Sequence, residues 1–559
     1  MPLKMQWLTM AVVTTLVVPP VSFASKPLHQ RIDAIIDAAR QGPAAKICSD
    51  GEFVRRVHLD LVGTIPTAEA ARQFIDDAAE DKRAALIDQL LSDERFPHHL
   101  QTVFDAMLME RRPEKHIKVA TWRQYLVDSF RENKPLNQLA REILRADAVD
   151  DRPPPAARFY LDREVQPHLI TRDVARLMLG RDLQCAQCHD HPSIVNYEQS
   201  EYYGIFAFVN RSYLFTSKDK KTVMLGEKAE GDVSYESVFD KGTKYHTGPQ
   251  LLGREPIEEP QLGEEERYEV KPAKDVYGVP AFSLRKELAE RMTAGDYIPF
   301  NRNMANRLWA VMFGRGIVHP LDLHHADNPP VHPELLRLLA EELAASKFDL
   351  RTMLGEIARS DTYQRGCRMP DVSDKQRQVL SKQFFVYGLR PLSPEQMTMS
   401  LYQAVGDLPA RLKSAKEAEL AKAEKESREV SAGEVARLAH QAVYDQLQGA
   451  TTELVAVFNQ TDGQPTEEFE GRATEALYLA NGPRMKGLVG GRLAARLTAL
   501  EQPAEVAEQL YLAVLSRRPE PPEIKMVAEF LNGPNIDRRS AMEEMIWGLL
   551  ASTEFRFNH

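Results

Sequence analysis

Residues 52–67 read EFVRRVHLDLVGTIPT (Glu52 to Thr67), a helical run that stops and starts again within a few residues. Gly63 favours the left-handed backbone conformation that ends an α-helix, and Thr67 is a preferred N-cap for the next one. The stretch therefore predicts two consecutive helices joined by a short turn. His58 and Asp60 lie two residues apart and face different sides of the first helix, so we interpret them as structural rather than as a catalytic pair.

The same helical spacing of apolar residues continues on both sides of this stretch. Residues 28–40 predict a helix upstream, and residues 81–96 predict a single amphipathic helix downstream. A further helix is expected at about 171–179, where Gly180 is placed to end it. The N-terminal part of the chain is therefore expected to be helical.

The composition changes between residues 211 and 282, where glycines, prolines and acidic clusters accumulate. Within this segment, 222–225 and 233–239 predict short strands. Helices resume at residue 283. The predicted fold class is therefore mainly α, with a helical domain at 25–210, a small β-containing segment at 211–282, and a second helical domain at 283–559.

Two features of the C-terminal half concern its organisation. Residues 410–447 are rich in Ala, Glu, Lys and Arg, which predicts an exposed helical hairpin that acts as a solvated arm. Residues 511–519 parallel 58–66, and 549–555 parallel 90–96. The echo predicts two related helical units that pack against one another, with convergent capping patterns as the alternative.

The start of the chain has the pattern of an export signal. Lys4 precedes an uncharged apolar run, 8–18, and small residues up to Ala24 follow it. This predicts a secretory signal peptide over 1–24, with a buried N-terminal helix as the alternative. The run is too short to span a bilayer, and no later stretch approaches about 18 uncharged residues. We therefore expect an exported protein, periplasmic or extracellular, with no membrane span.

Composition limits the class of protein further. A mature chain of about 535 residues is longer than a domain with a single hydrophobic core, so two or three domains are expected. The net charge of −10 argues against nucleic acid as a partner. Four cysteines in a chain of this length exclude a disulfide-stapled scaffold, and Cys48 and Cys367 are open to either pairing or burial as thiols.

The most specific motif is CAQCH, Cys185 to His189, which continues into Asp190-His191-Pro192. Two cysteines three apart with a histidine directly after the second form the attachment signature of a c-type haem. Each thiol adds across one vinyl group of the porphyrin, and the histidine ligates the iron. Because haem c is attached outside the cytoplasm, the predicted export supports this interpretation. Cofactor binding is therefore predicted at Cys185 and Cys188, with His189 as the iron ligand.

The second axial ligand of such a haem is open. His191 lies too close to His189 in sequence to reach the opposite face of the iron, and water is one alternative. Protein candidates further along the chain are His168, Met178, Met224 and His246. Aromatic residues follow the motif and are candidates either to wall the macrocycle or to form ordinary core: Tyr197, Tyr202, Tyr203, Phe206 and Phe208.

Two other chemistries compete for the motif. Cys185, Cys188, His189 and His191 are zinc-type ligands, although four within seven residues are cramped and no second CxxC is present. A CxxC disulfide, or a pair of packed thiols, is the simpler alternative in an oxidising compartment. Either would make the chain an extracellular interaction or structural protein. A hydrolase has no support, since GxSxG, HExxH and paired-carboxylate motifs are missing.

A histidine-rich loop lies further downstream. Its histidines are His319, His324, His325 and His332. Their spacing matches no standard pattern of metal ligands, so we do not predict a metal centre there. Asn306 and Arg307 are instead predicted to anchor this loop by hydrogen bonds.

Four segments together carry a family resemblance: LDLVGTIPT (59–67), CAQCHDHP (185–192), NRLWAVMFGRGIV (306–318) and DNPPVHPELL (327–336). They resemble the planctomycete secreted cytochrome-like proteins, in which a CxxCH-bearing domain of unknown function precedes a second domain of unknown function. The resemblance implies an exported, mostly helical protein with haem attached at Cys185 and Cys188 and ligated by His189. It implies no particular activity.

Together these features predict an exported c-type cytochrome-like protein that carries one covalent haem for electron transfer. Its partner would be a redox protein in the periplasm or in a cell-surface assembly.

Overall fold

The computed structural model describes residues 26–148, 152–218, 222–458 and 472–559. The predicted signal peptide, 1–24, lies outside the described residues. Within the described ranges, no helix is both long enough and apolar enough to cross a bilayer.

The chain is mainly α-helical with a small β-containing segment, as predicted. The α-helices are α1 (Leu28–Ala38), α2 (Asp50–Val62), α3 (Ala68–Asp76), α4 (Lys82–Leu91), α5 (Arg95–Met109), α6 (Val119–Arg131), α7 (Leu136–Arg145), α8 (Arg158–Leu161), α9 (Pro167–Leu179), α10 (Gln199–Val209), α11 (Leu284–Met292), α12 (Ile298–Phe313), α13 (Pro333–Ala345), α14 (Leu350–Arg359), α15 (Asp361–Gln364), α16 (Asp374–Lys382), α17 (Pro394–Ala404), α18 (Asp407–Lys425), α19 (Ala432–Phe458), α20 (Ala473–Asn481), α21 (Pro483–Val489), α22 (Arg492–Thr498), α23 (Pro503–Leu515), α24 (Pro521–Leu531), α25 (Arg538–Leu550) and α26 (Thr553–Arg556).

The strands form two-stranded antiparallel pairs, and those of the described residues lie mostly between α10 and α11. Strand β1 pairs with β2, β3 with β4, β5 with β6, and β7 with β8. Their bounds are β1 (Ser212–Thr216), β2 (Val223–Glu227), β3 (Val233–Ser237), β4 (Asp240–Thr247), β5 (Tyr268–Val270), β6 (Val279–Pro280), β7 (Arg390–Pro391) and β8 (Phe557–Asn558).

Capping residues set the helix ends in the stretch from 52 to 67. The side chain of Ser49 accepts a hydrogen bond from the backbone N–H of Glu52 and begins α2. Gly63, at φ 70°, ends α2 in the left-handed region, and Thr67 caps α3 through the N–H of Ala70. Both predicted helices and the turn between them are confirmed.

The prediction of one helix over 81–96 is wrong. The segment divides into α4 and α5, because Asp93 starts a new helix. One oxygen of its carboxylate accepts a hydrogen bond from the backbone N–H of Arg95 over 2.8 Å. The other oxygen accepts one from Nη2 of Arg95 over 2.7 Å. The local side-chain bonds outweigh the continuous apolar spacing of the sequence.

The buried apolar side chains form two hydrophobic cores. Helices α1–α16 supply the first, which also takes in Leu512. Helices α17–α26 supply the second, together with Leu59 and Ile65 from the α2–α3 region. The first core crosses the predicted domain boundary at residue 283, and that boundary stays a prediction. Each core therefore includes side chains from the other part of the chain, and this packing holds the C-terminal helices against the N-terminal ones.

The junction between the cores includes the two units that echo each other in sequence. The Arg55 guanidinium of α2 is fully buried and donates to the carbonyl of Val514, at 3.3 Å, and to that of Phe555, at 2.6 Å. These carbonyls stand at the C-terminal ends of α23 and α26. The two units are therefore in direct contact, and a buried guanidinium satisfies carbonyls that the helices leave unpaired.

The predicted helical hairpin at 410–447 is formed by α18 and α19, but it is not a solvated arm. One face of α19 is buried: Val435 lies outside the second core, and the residues that belong to that core are Ala439, Val443, Leu447, Ala450, Leu454 and Phe458. The ring of Tyr444 also stacks on His98 of α5, with centroids 4.1 Å apart. Charged residues on the other face hid this apolar stripe at the level of composition.

Candidate functional site

The CAQCH motif begins five residues after a helix stop. Gly180, at φ 69°, ends α9 as predicted, and Cys185–Gln187 then form a single 3₁₀ turn. The backbone N–H of Cys188 donates to the carbonyl of Cys185 over 3.2 Å. Side chains three residues apart on a 3₁₀ turn lie on the same side of it, so the turn presents the two cysteines in one direction.

Both cysteines are exposed, and neither is in a disulfide. His189 is half-buried, and its Nδ1 lies 2.6 Å from the carbonyl oxygen of Asp190. A bond to a carbonyl requires hydrogen on Nδ1, which leaves the lone pair of a neutral imidazole on Nε2. Among the described residues, Nε2 has no hydrogen-bond partner. Two thiols and one imidazole nitrogen of the motif are therefore unengaged.

A β-hairpin from the middle segment covers one side of the motif. The backbone N–H of Val238, in the turn between β3 and β4, donates to the carbonyl of Cys188 over 3.0 Å. The ring of Phe239 contacts that of His189, with centroids 4.8 Å apart, and yet 80% of Phe239 is exposed. Val238 and Tyr245 are also exposed. We call Val238, Phe239 and Tyr245 the hairpin patch.

Polar contacts from α10 hold the other side of the motif. The hydroxyl of Tyr203 donates to the carbonyl of Gln187 over 3.1 Å, and the backbone N–H of Gln199 donates to the Asp190 carboxylate over 2.8 Å. The ring of Tyr203 stacks on Tyr235 of β3, with centroids 4.3 Å apart. Burial raises the pKa of the Tyr203 phenol. The motif is thus clamped between α10 and the β3–β4 hairpin.

The aromatic residues singled out from the sequence divide into core and site. Tyr197, Tyr202 and Phe208 are fully buried, and Phe206 is nearly so. Tyr203 bonds the carbonyl of Gln187, and the carbonyl of Tyr197 accepts the backbone N–H of His191. The hairpin rings at 235, 239 and 245 were not predicted as site residues. They reach the motif through tertiary packing, which leaves no local signal in the sequence.

The histidine-rich loop after α12 supports the motif from the C-terminal side. The backbone N–H of His324 donates to the carbonyl of Gly180 over 2.9 Å, and that of Asp182 donates to the carbonyl of Asp322 over 2.8 Å. The side-chain amide of Asn306 bonds both backbone groups of Val318, each at 2.9 Å. Arg307 donates to the Asp322 carboxylate over 2.6 Å. The predicted anchoring by residues 306 and 307 is confirmed.

The histidines of this loop make structural contacts. Burial lowers the pKa of His324 to about 3, and its Nε2 lies 3.2 Å from the Asn306 amide nitrogen. The Nε2 of His332 lies 3.0 Å from the carbonyl oxygen of Gln383. Across the described ranges, no group of three or more His, Cys, Asp or Glu side chains is arranged to hold a metal ion.

The four candidates for a second axial ligand differ in exposure. Met178 and Met224 are buried in the protein interior. His168 and His246 are exposed, and the Nδ1 of His168 lies 2.8 Å from the hydroxyl oxygen of Tyr202. His246 stands on β4, in the hairpin that contacts the motif. The two histidines are therefore the accessible candidates.

The other two cysteines and the pair His58 and Asp60 are buried. Cys48 and Cys367 are buried thiols without a disulfide, and burial raises the pKa of Cys367 to about 12. The Asp60 carboxylate accepts hydrogen bonds from Tyr363, at 2.6 Å, and from Asn558, at 2.6 Å. Burial lowers the pKa of His58 to about 3. His58 and Asp60 are both buried, and their structural interpretation stays a prediction.

Comparison with known protein families identifies the two parts of the chain. Residues 30–213 match PSCyt2, a protein of unknown function (DUF1549), and this match includes the CAQCH motif. Residues 284–531 match PSD1, a protein of unknown function (DUF1553). No curated protein and no solved structure matches the chain. The matches therefore support two domains of unknown function, DUF1549 and DUF1553, arranged in tandem along the chain.

Proposed function

We propose that the chain is an exported c-type cytochrome-like protein of the planctomycete secreted group, with one covalent haem that serves electron transfer. One observation carries the proposal. Two exposed, unpaired thiols stand on the same side of a single turn, directly before an imidazole whose Nε2 is unengaged. This donor set fits the chemistry of haem c attachment.

The motif residues would hold the haem in distinct ways. Cys185 and Cys188 would each form a thioether by adding across a vinyl group, and the Nε2 of His189 would ligate the iron. The Asp190 carbonyl, 2.6 Å from Nδ1, fixes the orientation and tautomer of the imidazole. A bound haem supplies one-electron oxidation and reduction.

The hairpin patch supplies apolar cover beside the motif. Phe239 contacts His189 but remains largely exposed, so most of its surface is still accessible to a ligand. Burying an aromatic side chain of this size against an apolar partner contributes about 1.5–3 kcal/mol. The patch would in this way exclude water from one face of the cofactor and leave an edge open to a redox partner.

Export of the protein belongs to the same proposal. The signal pattern at 1–24 would direct the chain out of the cytoplasm. Haem c is attached outside the cytoplasm, so export would bring the motif to the place of attachment. The proposed location is the periplasm or the cell exterior, and the proposed partner is another redox protein.

The proposal is tested by expressing the full chain, with its own signal, in a host that has the haem c maturation machinery. We expect red protein whose haem absorption stays with the polypeptide after denaturation, because thioether bonds are covalent. The double variant Cys185→Ser, Cys188→Ser should be exported but colourless. The matched control, Cys48→Ser, Cys367→Ser, changes two buried thiols and should retain the colour.

Other outcomes overturn the proposal and assign the motif differently. Colourless protein with a Cys185–Cys188 disulfide in a peptide map would make the motif a staple. Stoichiometric zinc that a chelator removes would make it a metal site. Both results would favour an extracellular interaction or structural protein.

A further inference from the structure

A cavity of about 260 Å³ lies where the N-terminal helices α5 and α6 meet the C-terminal helices α17 and α19. No residue of the CAQCH motif lines it. The cavity is below the usual range of about 300–1,000 Å³ for drug-sized ligands, so it suits a small molecule. Its position between segments of the two matched families makes it a feature of the tandem arrangement.

The polar part of the cavity lining is rich in arginine. Four guanidinium groups line it, against two carboxylates, those of Asp105 and Glu395. The Arg111 guanidinium pairs with Glu395 at 2.9 Å. Asp105 is shared by Arg123, at 2.9 Å, and Arg158, at 3.5 Å. Arg112 pairs instead with Glu110 and Asp173, and Arg158 with Asp162, which do not line the cavity; the lining itself therefore carries more guanidinium groups than carboxylates.

Arg158 provides a second, independent indication of a ligand. Its side chain is 1% exposed, its Nε donates to Asp162 over 2.8 Å, and its Nη2 donates to the carbonyl of Arg112 over 3.0 Å. Its Nη1 is buried and makes no hydrogen bond; the contact with Asp105 at 3.5 Å is an ion pair without hydrogen-bond geometry. A buried charged donor without an acceptor is costly, and an oxyanion in the cavity would satisfy it.

The rest of the lining is of mixed character and is formed largely by α19. Leu447 and Val455 contribute apolar surface, Met399 of α17 adds to it, and Gln448 and Thr451 supply polar groups. The side chain of Gln448 already accepts a hydrogen bond from Nη1 of Arg123 at 2.5 Å. A ligand with an anionic head and a short apolar body would match both the arginines and this apolar surface.

We propose that this cavity binds a small organic anion. Its carboxylate or other oxyanion group would bond Nη1 of Arg158 and the neighbouring Arg123, and its apolar part would lie against α19 and Met399. Guanidinium groups are suited to such a role because their planar donors match oxyanion geometry. The site is independent of the haem proposal, because it uses none of the same residues.

The test is isothermal titration of the purified full chain with benzoate, with benzamide as its neutral counterpart, and with sulfate as an anion without an apolar body. We expect saturable binding of benzoate, and binding of benzamide and of sulfate that is about tenfold weaker or more, because each lacks one of the two contacts. Sulfate as tight as benzoate would contradict the apolar part of the site. Benzamide as tight as benzoate would contradict the anion contact.

Two variants and a control locate the site. Arg123→Gln should weaken benzoate binding by about tenfold or more, since it removes a charged donor. Thr451→Phe keeps every arginine but fills the cavity, so it should abolish binding. Arg145→Gln is the matched control, because Arg145 has the same 36% side-chain exposure as Arg123 and lies outside the cavity. No saturable binding of benzoate up to roughly 10 mM, or equal binding in all three variants, would overturn the proposal.

Discussion

Replacing Gly180 by alanine tests how closely the end of α9 is packed against the loop that supports the motif. Gly180 has φ +69°, and a Cβ added there would lie 2.7 Å from Oδ1 of Asn303 and 2.8 Å from Cδ2 of His324. The substitution therefore carries two costs. An alanine in the left-handed region costs about 1–2 kcal/mol, and overpacking a buried position costs about 1–3 kcal/mol more.

Gly253 separates these two costs. It has φ +68°, and nothing lies within 4 Å of its added Cβ, so Gly253→Ala carries the backbone cost alone. We expect Gly180→Ala to lower the free energy of unfolding by about 1–3 kcal/mol more than Gly253→Ala does. Because Gly180 accepts the N–H of His324, the Gly180 variant should also carry less haem after export.

The assay is chemical denaturation of both variants and the parent protein, followed by circular dichroism, together with the ratio of haem to protein. The midpoint of the first transition is compared, because a chain with two cores need not unfold in one step. Equal destabilisation by the two substitutions would refute the close packing of α9 on the histidine-rich loop.

Three further predictions concern the buried charges, the histidines and the hairpin patch. Asp60→Asn should destabilise the protein by about 3–5 kcal/mol in a denaturant melt, because it leaves the buried guanidinium of Arg390 without its ion-pair partner. Burial lowers the pKa of His58 and His98 to about 3 in the folded protein. Below about pH 6.5 the two histidines therefore take up protons in the unfolded chain but not in the folded one. The free energy of unfolding should fall by roughly 2 kcal/mol for each histidine by pH 5, which is measured as a loss of melting temperature. Phe239→Ser should leave the melting temperature unchanged, since the ring is 80% exposed, but lower the haem reduction potential in a redox titration by admitting water; an unchanged potential would remove the hairpin from the site.

Local signals in the sequence were sufficient for the fold class and for many helix ends. Gly63, Thr67 and Gly180 act where the sequence places them, because capping depends on residues within one turn. The break between α4 and α5 was missed because it depends on the Asp93 side chain rather than on the apolar pattern. Strand β4 has almost no buried residues, so alternating hydrophobicity could not reveal it.

The candidate site divides in the same way. Cys185, Cys188 and His189 lie within five consecutive residues, so the sequence alone was sufficient to single them out as a motif. The clamp around them comes from elements far along the chain, including Phe239 and the loop at His324, and such contacts are set by tertiary packing. The burial of α19 was missed for a different reason. Its apolar residues recur every three or four positions and so predict a buried face, but the overall composition of 410–447 is rich in charged residues.

The intact mass of the exported protein tests the central claim most directly. After removal of the signal peptide, the mass should exceed that of the polypeptide by one haem, and the added mass should map to a peptide that contains Cys185 and Cys188. A polypeptide of unmodified mass from a host whose maturation machinery attaches haem to a control cytochrome would contradict haem attachment at the motif.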